Sequence, residues 1–261
     1  MIFKHELKAN FKTFLIWTSI IAGMDFGFML MFPSLQDSMD KAMSAYESMS
    51  AFSTAFGMDR LSMADPLGYY GVYIGAILSL GGALFAAIVG TGILSKEEGG
   101  HTSEFLYTLP YSRLNIVLQK VAAVFVILFA FNAVNLLLGL LSFPLIHAKL
   151  MLQEILLYHA AQFMMHLEIA AIGILLSAFT KKISIGIGLG IAMLLYFLDM
   201  MSRVLPQLKF GKYITPFYYA NAADVMPTRG IDPLLLGIGI GLTLLCIVIG
   251  GLYYNKRDLA A

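Results

Sequence analysis

The sequence predicts an all-α polytopic membrane protein with six transmembrane helices. Three observations carry that expectation. Six apolar stretches run through the 261 residues, at about 13–32, 69–94, 116–143, 155–180, 183–201 and 233–254. Each is long enough as a helix to cross a hydrocarbon core about 30 Å thick, which takes roughly 20 residues. Second, charge is sparse: Asp, Glu, Lys and Arg make up 13% of the chain, against about 25% in an average soluble domain. Third, the stretches are continuous rather than alternating, so they are not the strands of a membrane barrel. Helices are then the structure that satisfies backbone groups in lipid.

Composition bounds the function. A formal net charge of +1 gives no electrostatic footprint for nucleic acid. Cys246 is a lone cysteine inside the sixth stretch, which excludes an intrachain disulfide and a multi-cysteine metal site. The N-terminus is basic at Lys4 and Lys8, but the stretch after it is full length and lacks a small-residue cleavage site. It is expected to be retained as the first span.

An even number of spans puts both termini on one side. That side carries Lys4, Lys8, Lys12, Lys96, Arg113, Lys120, Lys181, Lys182, Lys256 and Arg257, ten cations; the other carries Lys41, Arg60, Lys149, Arg203, Lys209, Lys212 and Arg229, seven. Basic residues close to span ends mark the cytoplasmic side. Both termini are therefore expected in the cytoplasm.

The connections follow. Outside, residues 33–68 place Met39, Met43, Tyr46, Met49 and Phe52 or Ser53 at spacings of three and four, with polar residues between them. That pattern predicts an amphipathic helix at the outer interface or capping the bundle. Inside, residues 95–115 begin with Gly99-Gly100, which is expected to break the second helix. Thr102 then N-caps a short helix over 102–109 with Glu104 in its first turn; Pro110 ends it and Ser112 caps the next. Phe105, Leu106 and Leu109 give that short helix an apolar edge, fit for docking a cytoplasmic partner or anchoring at the interface. The second outer segment, 202–232, is expected to hold a short interfacial helix around Val204, Leu205 and Leu208. Its Phe217, Tyr218 and Tyr219 are expected in the aromatic belt, and Pro227 and Gly230 at the turn into the last span.

Within the spans, Glu168 stands near the middle of the fourth, with His159 and His166 on the same helix. A carboxylate at that depth must face a polar interior or a partner, such as Asn132 or Asn135. The alternative to a neutral, hydrogen-bonded group is a place on a substrate or ion path, and His166 and Glu168 are the candidates for it. His159, Gln162 and His166 share one helical face, while Glu168 lies about 200° from His166, which argues against a joint metal site. Asp25 and Asp199 are expected near outer span ends, where solvation is easy. Gly23/Gly27, Gly71/Gly75, Gly186/Gly190 and Gly237/Gly241 recur at helix-packing spacing.

No P-loop appears in the chain, so any ATP-driven work needs a second polypeptide. An intramembrane enzyme is an alternative from another class, disfavoured because His-Glu-x-x-His and a serine elbow are both missing. A secondary carrier driven by an ion gradient would favour broken helices and internal repeats, and the two halves show no clear repeat.

Three stretches together resemble type-2 ABC transporter permeases. The first runs Glu97-Glu98-Gly99-Gly100-His101-Thr102-Ser103-Glu104-Phe105-Leu106-Tyr107-Thr108-Leu109-Pro110-Tyr111-Ser112-Arg113, followed by Lys120. It is similar to the family's inner-loop signature, except that His101 stands where a Gly often precedes the Thr. The others are Thr215-Pro216-Phe217-Tyr218-Tyr219 with Asp224 and Gly230, and the tail Tyr254-Asn255-Lys256-Arg257-Asp258-Leu259. The resemblance implies a single permease domain over residues 1–261, in the cytoplasmic membrane of a prokaryote, acting as an exporter subunit that is not itself an enzyme. It implies pairing with a second permease copy or a related permease, and with two copies of an ABC ATP-binding subunit that hold the ATP and Mg; this chain itself would hold no cofactor and no metal. Residues 102–109 would be the coupling helix, with Glu98, Thr102, Glu104, Phe105, Leu106, Leu109, Pro110 and Arg113 forming the docking surface. No residue selects a substrate.

Overall fold

The computed structural model describes residues 2–48, 50–100, 110–181 and 185–256. The short helix expected over 102–109 lies outside the described residues. Those described form helices and turns, and six helices are long and apolar enough to cross a membrane. We number the helices α1 (Ile2–Ser48), α2 (Ser50–Phe56), α3 (Pro66–Thr91), α4 (Lys96–Gly99), α5 (Arg113–Leu145), α6 (Leu152–Phe179), α7 (Ile185–Val204), α8 (Ala222–Thr228) and α9 (Pro233–Lys256).

The bundle is organised around α6. Helices α3 and α9 pack along it, α5 joins it to α1, and α7 covers α3. The interior residues of these seams are large and fully buried, among them Phe85, Phe131, Phe143, Leu78 and Tyr158. The outward faces of α1, α5, α7 and α9 expose Phe11, Ile20, Phe129, Leu137, Leu194, Phe197, Leu244 and Leu252, an apolar surface suited to lipid.

Local sequence sets most helix ends. Asp65 caps α3, accepting from the backbone of Leu67 (3.1 Å) and Gly68 (3.3 Å), with Pro66 at the first helical position. Ser112 caps α5 as its position predicts, accepting from Asn115 N at 3.3 Å. Asn221 caps α8 through Ala223 N at 2.9 Å, and Asp232 does the same for α9 through Leu234 N, also at 2.9 Å. Gly68 has no room for a side chain, because a Cβ there would overlap the Ser62 backbone.

Several expectations change. Among the described residues, the segment expected to form one amphipathic helix after the first span is divided: α1 runs for 47 residues, through Pro33 to Ser48, and the short α2 follows. A proline is tolerated in a membrane helix because its surroundings absorb the lost hydrogen bond. The second span's helix ends at Thr91, before Gly99-Gly100, and Gly92 closes it. Residues 92–95 form a tight turn held against α6, where Ser177 Oγ accepts from Leu94 N (2.9 Å) and Ser95 N (3.0 Å). The helix expected around Val204, Leu205 and Leu208 is a 3-10 segment at Pro206–Tyr213, since Pro206 cannot continue α7. At the turn before α9 it is Arg229, not Gly230, that takes the left-handed conformation (φ 51°).

Residues Tyr70–Ile74 form a π turn inside α3, a distortion frequent at functional sites. Of the four small-residue pairs, Gly71/Gly75 packs within the chain, against Leu61, Met226, Ala222 and Tyr158. Gly23/Gly27, Gly186/Gly190 and Gly237/Gly241 face open space on α1, α7 and α9.

Candidate functional site

The loop expected to dock a partner is flanked by α4 and α5. Of the eight residues expected to form its surface, Glu98, Pro110 and Arg113 are described; Thr102, Glu104, Phe105, Leu106 and Leu109 lie outside the described residues. Glu98 is buried on α4, and Pro110 is exposed just before the Ser112 cap. Arg113 opens α5 and donates from Nη1 to the Asn255 carbonyl at 3.4 Å, which ties the start of α5 to the end of α9.

Beneath the loop sits a charge cluster that sequence reading did not assemble. Lys120, fully buried on α5, donates to Glu6 Oε1 (2.7 Å), to the Ile93 carbonyl (2.8 Å) and to Glu97 Oε1. Glu6, 1% exposed on α1, also accepts from Lys96. Two cations and two carboxylates thus close on one another across α1, α4 and α5. Lys120 was legible as part of the loop signature; its partner Glu6, 114 residues away, was not.

Along the spans, several buried polar side chains of α6 meet partners on neighbouring elements. His159 Nε2 and the Tyr70 hydroxyl are 2.7 Å apart. Gln162 donates to Ser79 Oγ (2.7 Å) and to the Ala220 carbonyl (2.8 Å). His166 Nδ1 lies 3.2 Å from Asn132 Oδ1. These three share one face of α6, as their spacing predicts, and point toward α3 and α5. Glu168 faces the other way. It accepts from the Tyr219 hydroxyl at 3.0 Å and lies against Gly239 of α9. The structure therefore does not bring Glu168 and His166 together, and Glu168's partner is neither Asn132 nor Asn135. Glycines make the seats: a Cβ at Gly82 would overlap the His166 ring, one at Gly139 the Tyr70 hydroxyl, and one at Gly239 would come within 2.5 Å of Glu168 Oε2.

Tyr219 is thus no belt residue. It is buried, as is Phe217, while Tyr218 lies beneath the Arg203 guanidinium, 4.2 Å from its ring centre. Burial first, and then the Glu168 carboxyl, push the Tyr219 phenol well above its ordinary value, so it stays the donor of that bond.

The outer aspartates are also buried, contrary to expectation. Asp25 is 8% exposed, and its Oδ1 has no hydrogen-bond partner among the described residues. Asp199 is 3% exposed and is held by Arg203 Nε, 3.1 and 3.0 Å from its two oxygens. Arg203 also donates to Asp224 Oδ2 (2.7 Å) and to the Tyr218 carbonyl (3.1 Å), and Asp224 takes a second cation, Arg60. Asp224 is in this way the knot joining α7, α8 and the turn after α2.

The Glu168 seat yields an expectation. Glu168→Gln keeps the size and can still accept from Tyr219, so stability is expected to change by no more than about 0.5 kcal/mol. Glu168→Leu leaves the buried Tyr219 hydroxyl without its acceptor and is expected to cost about 1–3 kcal/mol. Thermal unfolding of the two purified variants checks this; equal stability in both would show that the bond is not made.

This frame is that of a membrane transport subunit. A sequence model described as ABC-2 family transporter protein matches residues 2–259, and the chain belongs to that family. It is a multi-pass membrane protein of the ABC transporter permease class, which works in association with an ABC ATP-binding subunit. No curated protein matches the chain.

Proposed function

We propose that this chain is the permease subunit of an ATP-driven exporter, energised by a separate ATP-binding subunit that docks on the loop between α4 and α5. The observation that carries the proposal is the family match over residues 2–259, joined to a loop flanked by the short helix α4 and the capped start of α5. Residues 102–109 act as the coupling helix, and Glu98, Thr102, Glu104, Phe105, Leu106, Leu109, Pro110 and Arg113 form its docking surface. Two ATP-binding subunits hold the ATP and Mg, and this chain holds no cofactor. A second permease copy or a related permease completes the path. The excess of cations at the α4–α5 end supports cytoplasmic termini in a prokaryotic inner membrane.

Two seams of α6 are candidates for the cargo path: the Glu168 seam with α9 and the His166 seam with α3 and α5. Driven closure of the ATP-binding pair shifts the bundle between two arrangements of those seams.

Phe105→Asp tests the docking surface. Placing a charge in an apolar contact is expected to cost about 2 kcal/mol or more, roughly thirtyfold in affinity. The variant should insert in the membrane normally and lose the co-purifying ATP-binding subunit. Full retention of that subunit would refute the assignment.

A further inference from the structure

We infer that the Glu6–Lys96–Glu97–Lys120 cluster is the joint that carries movement of the docking loop into α1, with Glu6 as the positioning residue. This rests on the docking reading above and extends it to a helix that the loop does not belong to.

The connectivity supports it. Glu97 lies three residues before Gly100, where α4 gives way to the loop, and Lys120 lies on the first turns of α5 beyond it. Both flanks of the loop therefore end in the same cluster. Helix α3, which precedes the loop in the chain, ends at Thr91, and the 92–95 turn after it is tied to α6 through Ser177 as well as to the cluster through the Ile93 carbonyl. Helix α1 is different. Its Glu6 is gripped by both lysines, its Phe3 N donates to Gln119 Oε1 at 3.2 Å, and it continues from there without a break to Ser48. From Glu6 to Ser38 that is a rod of about 48 Å at 1.5 Å per residue.

The chemistry supports it too. A buried ion cluster adds little stability over apolar packing of the same volume, because desolvation offsets the attraction. What ions add is direction. Lys120 Nζ spends its three N–H bonds on acceptors from α1, from α4 and from the turn after α3. None of these elements can rotate against the others without breaking one. An apolar plug would let them slide.

The test uses the full chain with its ATP-binding subunit, in a Cys246→Ala background with a reporter at Ser38→Cys, an exposed position toward the far end of α1. The readout is the labelling rate of that cysteine by a membrane-impermeant maleimide, with and without ATP and vanadate. With Glu6 present, trapping is expected to change the rate at least threefold. In Glu6→Gln the ATP-binding subunit should still co-purify in the same ratio, but the change should fall below 1.5-fold, about half of the smallest response expected with Glu6. Glu6→Asp, which keeps the charge, should recover part of it, a recovery that a filler of space would not show. Should Glu6→Gln fail to accumulate, Glu97→Gln is read in its place, since it leaves Glu6 held by both lysines while loosening the loop side. An undiminished response in Glu6→Gln, or no response at Ser38→Cys with the subunit bound, overturns the inference and leaves docking intact. Failure of the ATP-binding subunit to co-purify with the unaltered chain overturns both.

Discussion

Lys120→Met is expected to be among the most destabilising single substitutions in this chain. Methionine fills much of the space but strands Glu6 and Glu97, two carboxylates that are 1% and 12% exposed, without their shared cation. Removing one partner of a buried ion group costs on the order of 3–5 kcal/mol, because the remaining charge stays desolvated. The variant should show a sharply lower thermal midpoint and reduced accumulation in the membrane. Combining it with Glu6→Gln and Glu97→Gln should recover most of that loss, since the charges then leave together and Lys96, 24% exposed, can turn to water. If Lys120→Met unfolds at the same temperature as the unaltered chain, the four groups do not meet in the folded protein.

Gly90→Val is expected to have the second large effect, at the seam between α3 and α6. A Cβ at Gly90 would overlap the Ala170 carbonyl, and Gly173 across the seam already sits against the backbone of Gly90 and Thr91. The obstacle is main chain on both sides, so no rotamer change relieves it. Overpacking of this kind costs about 1–3 kcal/mol, and the upper end applies where backbone must move. Gly186→Val on α7, where a Cβ meets nothing, is the control and should be nearly silent. Thermal unfolding of both variants in the same detergent measures the difference, and equal midpoints would show that α3 and α6 do not approach this closely.

What the sequence revealed and what it hid divide along the range of the interaction. Spans were legible because lipid imposes a continuous apolar run. The Ser112 cap was legible because it acts over three residues. The shared face of His159, Gln162 and His166, and the opposite direction of Glu168, followed from helical angle alone. Partners were not legible. Glu6 meets Lys120 and Tyr219 meets Glu168 only after distant segments pack, and many other pairings share the same local pattern. Asp25 and Asp199 misled because depth along a span was read as access to water, whereas burial is decided by neighbouring helices. Most of the expected docking surface, Thr102, Glu104, Phe105, Leu106 and Leu109, lies outside the described residues.

The π turn in α3 has a consequence for how one helix serves several masters. A turn with an extra residue rotates everything beyond it by about 100° relative to an uninterrupted α-helix. Below the turn, Gly82 and Gly90 keep the face of α3 that fits α6. Within and above it, Tyr69 reaches the Phe28 carbonyl of α1 (3.3 Å), Tyr70 reaches His159, and Gly71 lies against Met226 and Ala222 of α8. The outer end of the bundle and its central seam are thus set by independent registers of one helix. Loss or gain of a single residue at Tyr70–Ile74 is expected to re-aim the contacts made by Tyr69, Tyr70 and Gly71 as a block and to leave the Gly82 and Gly90 seam in place, so one end of the bundle can vary without retuning the other.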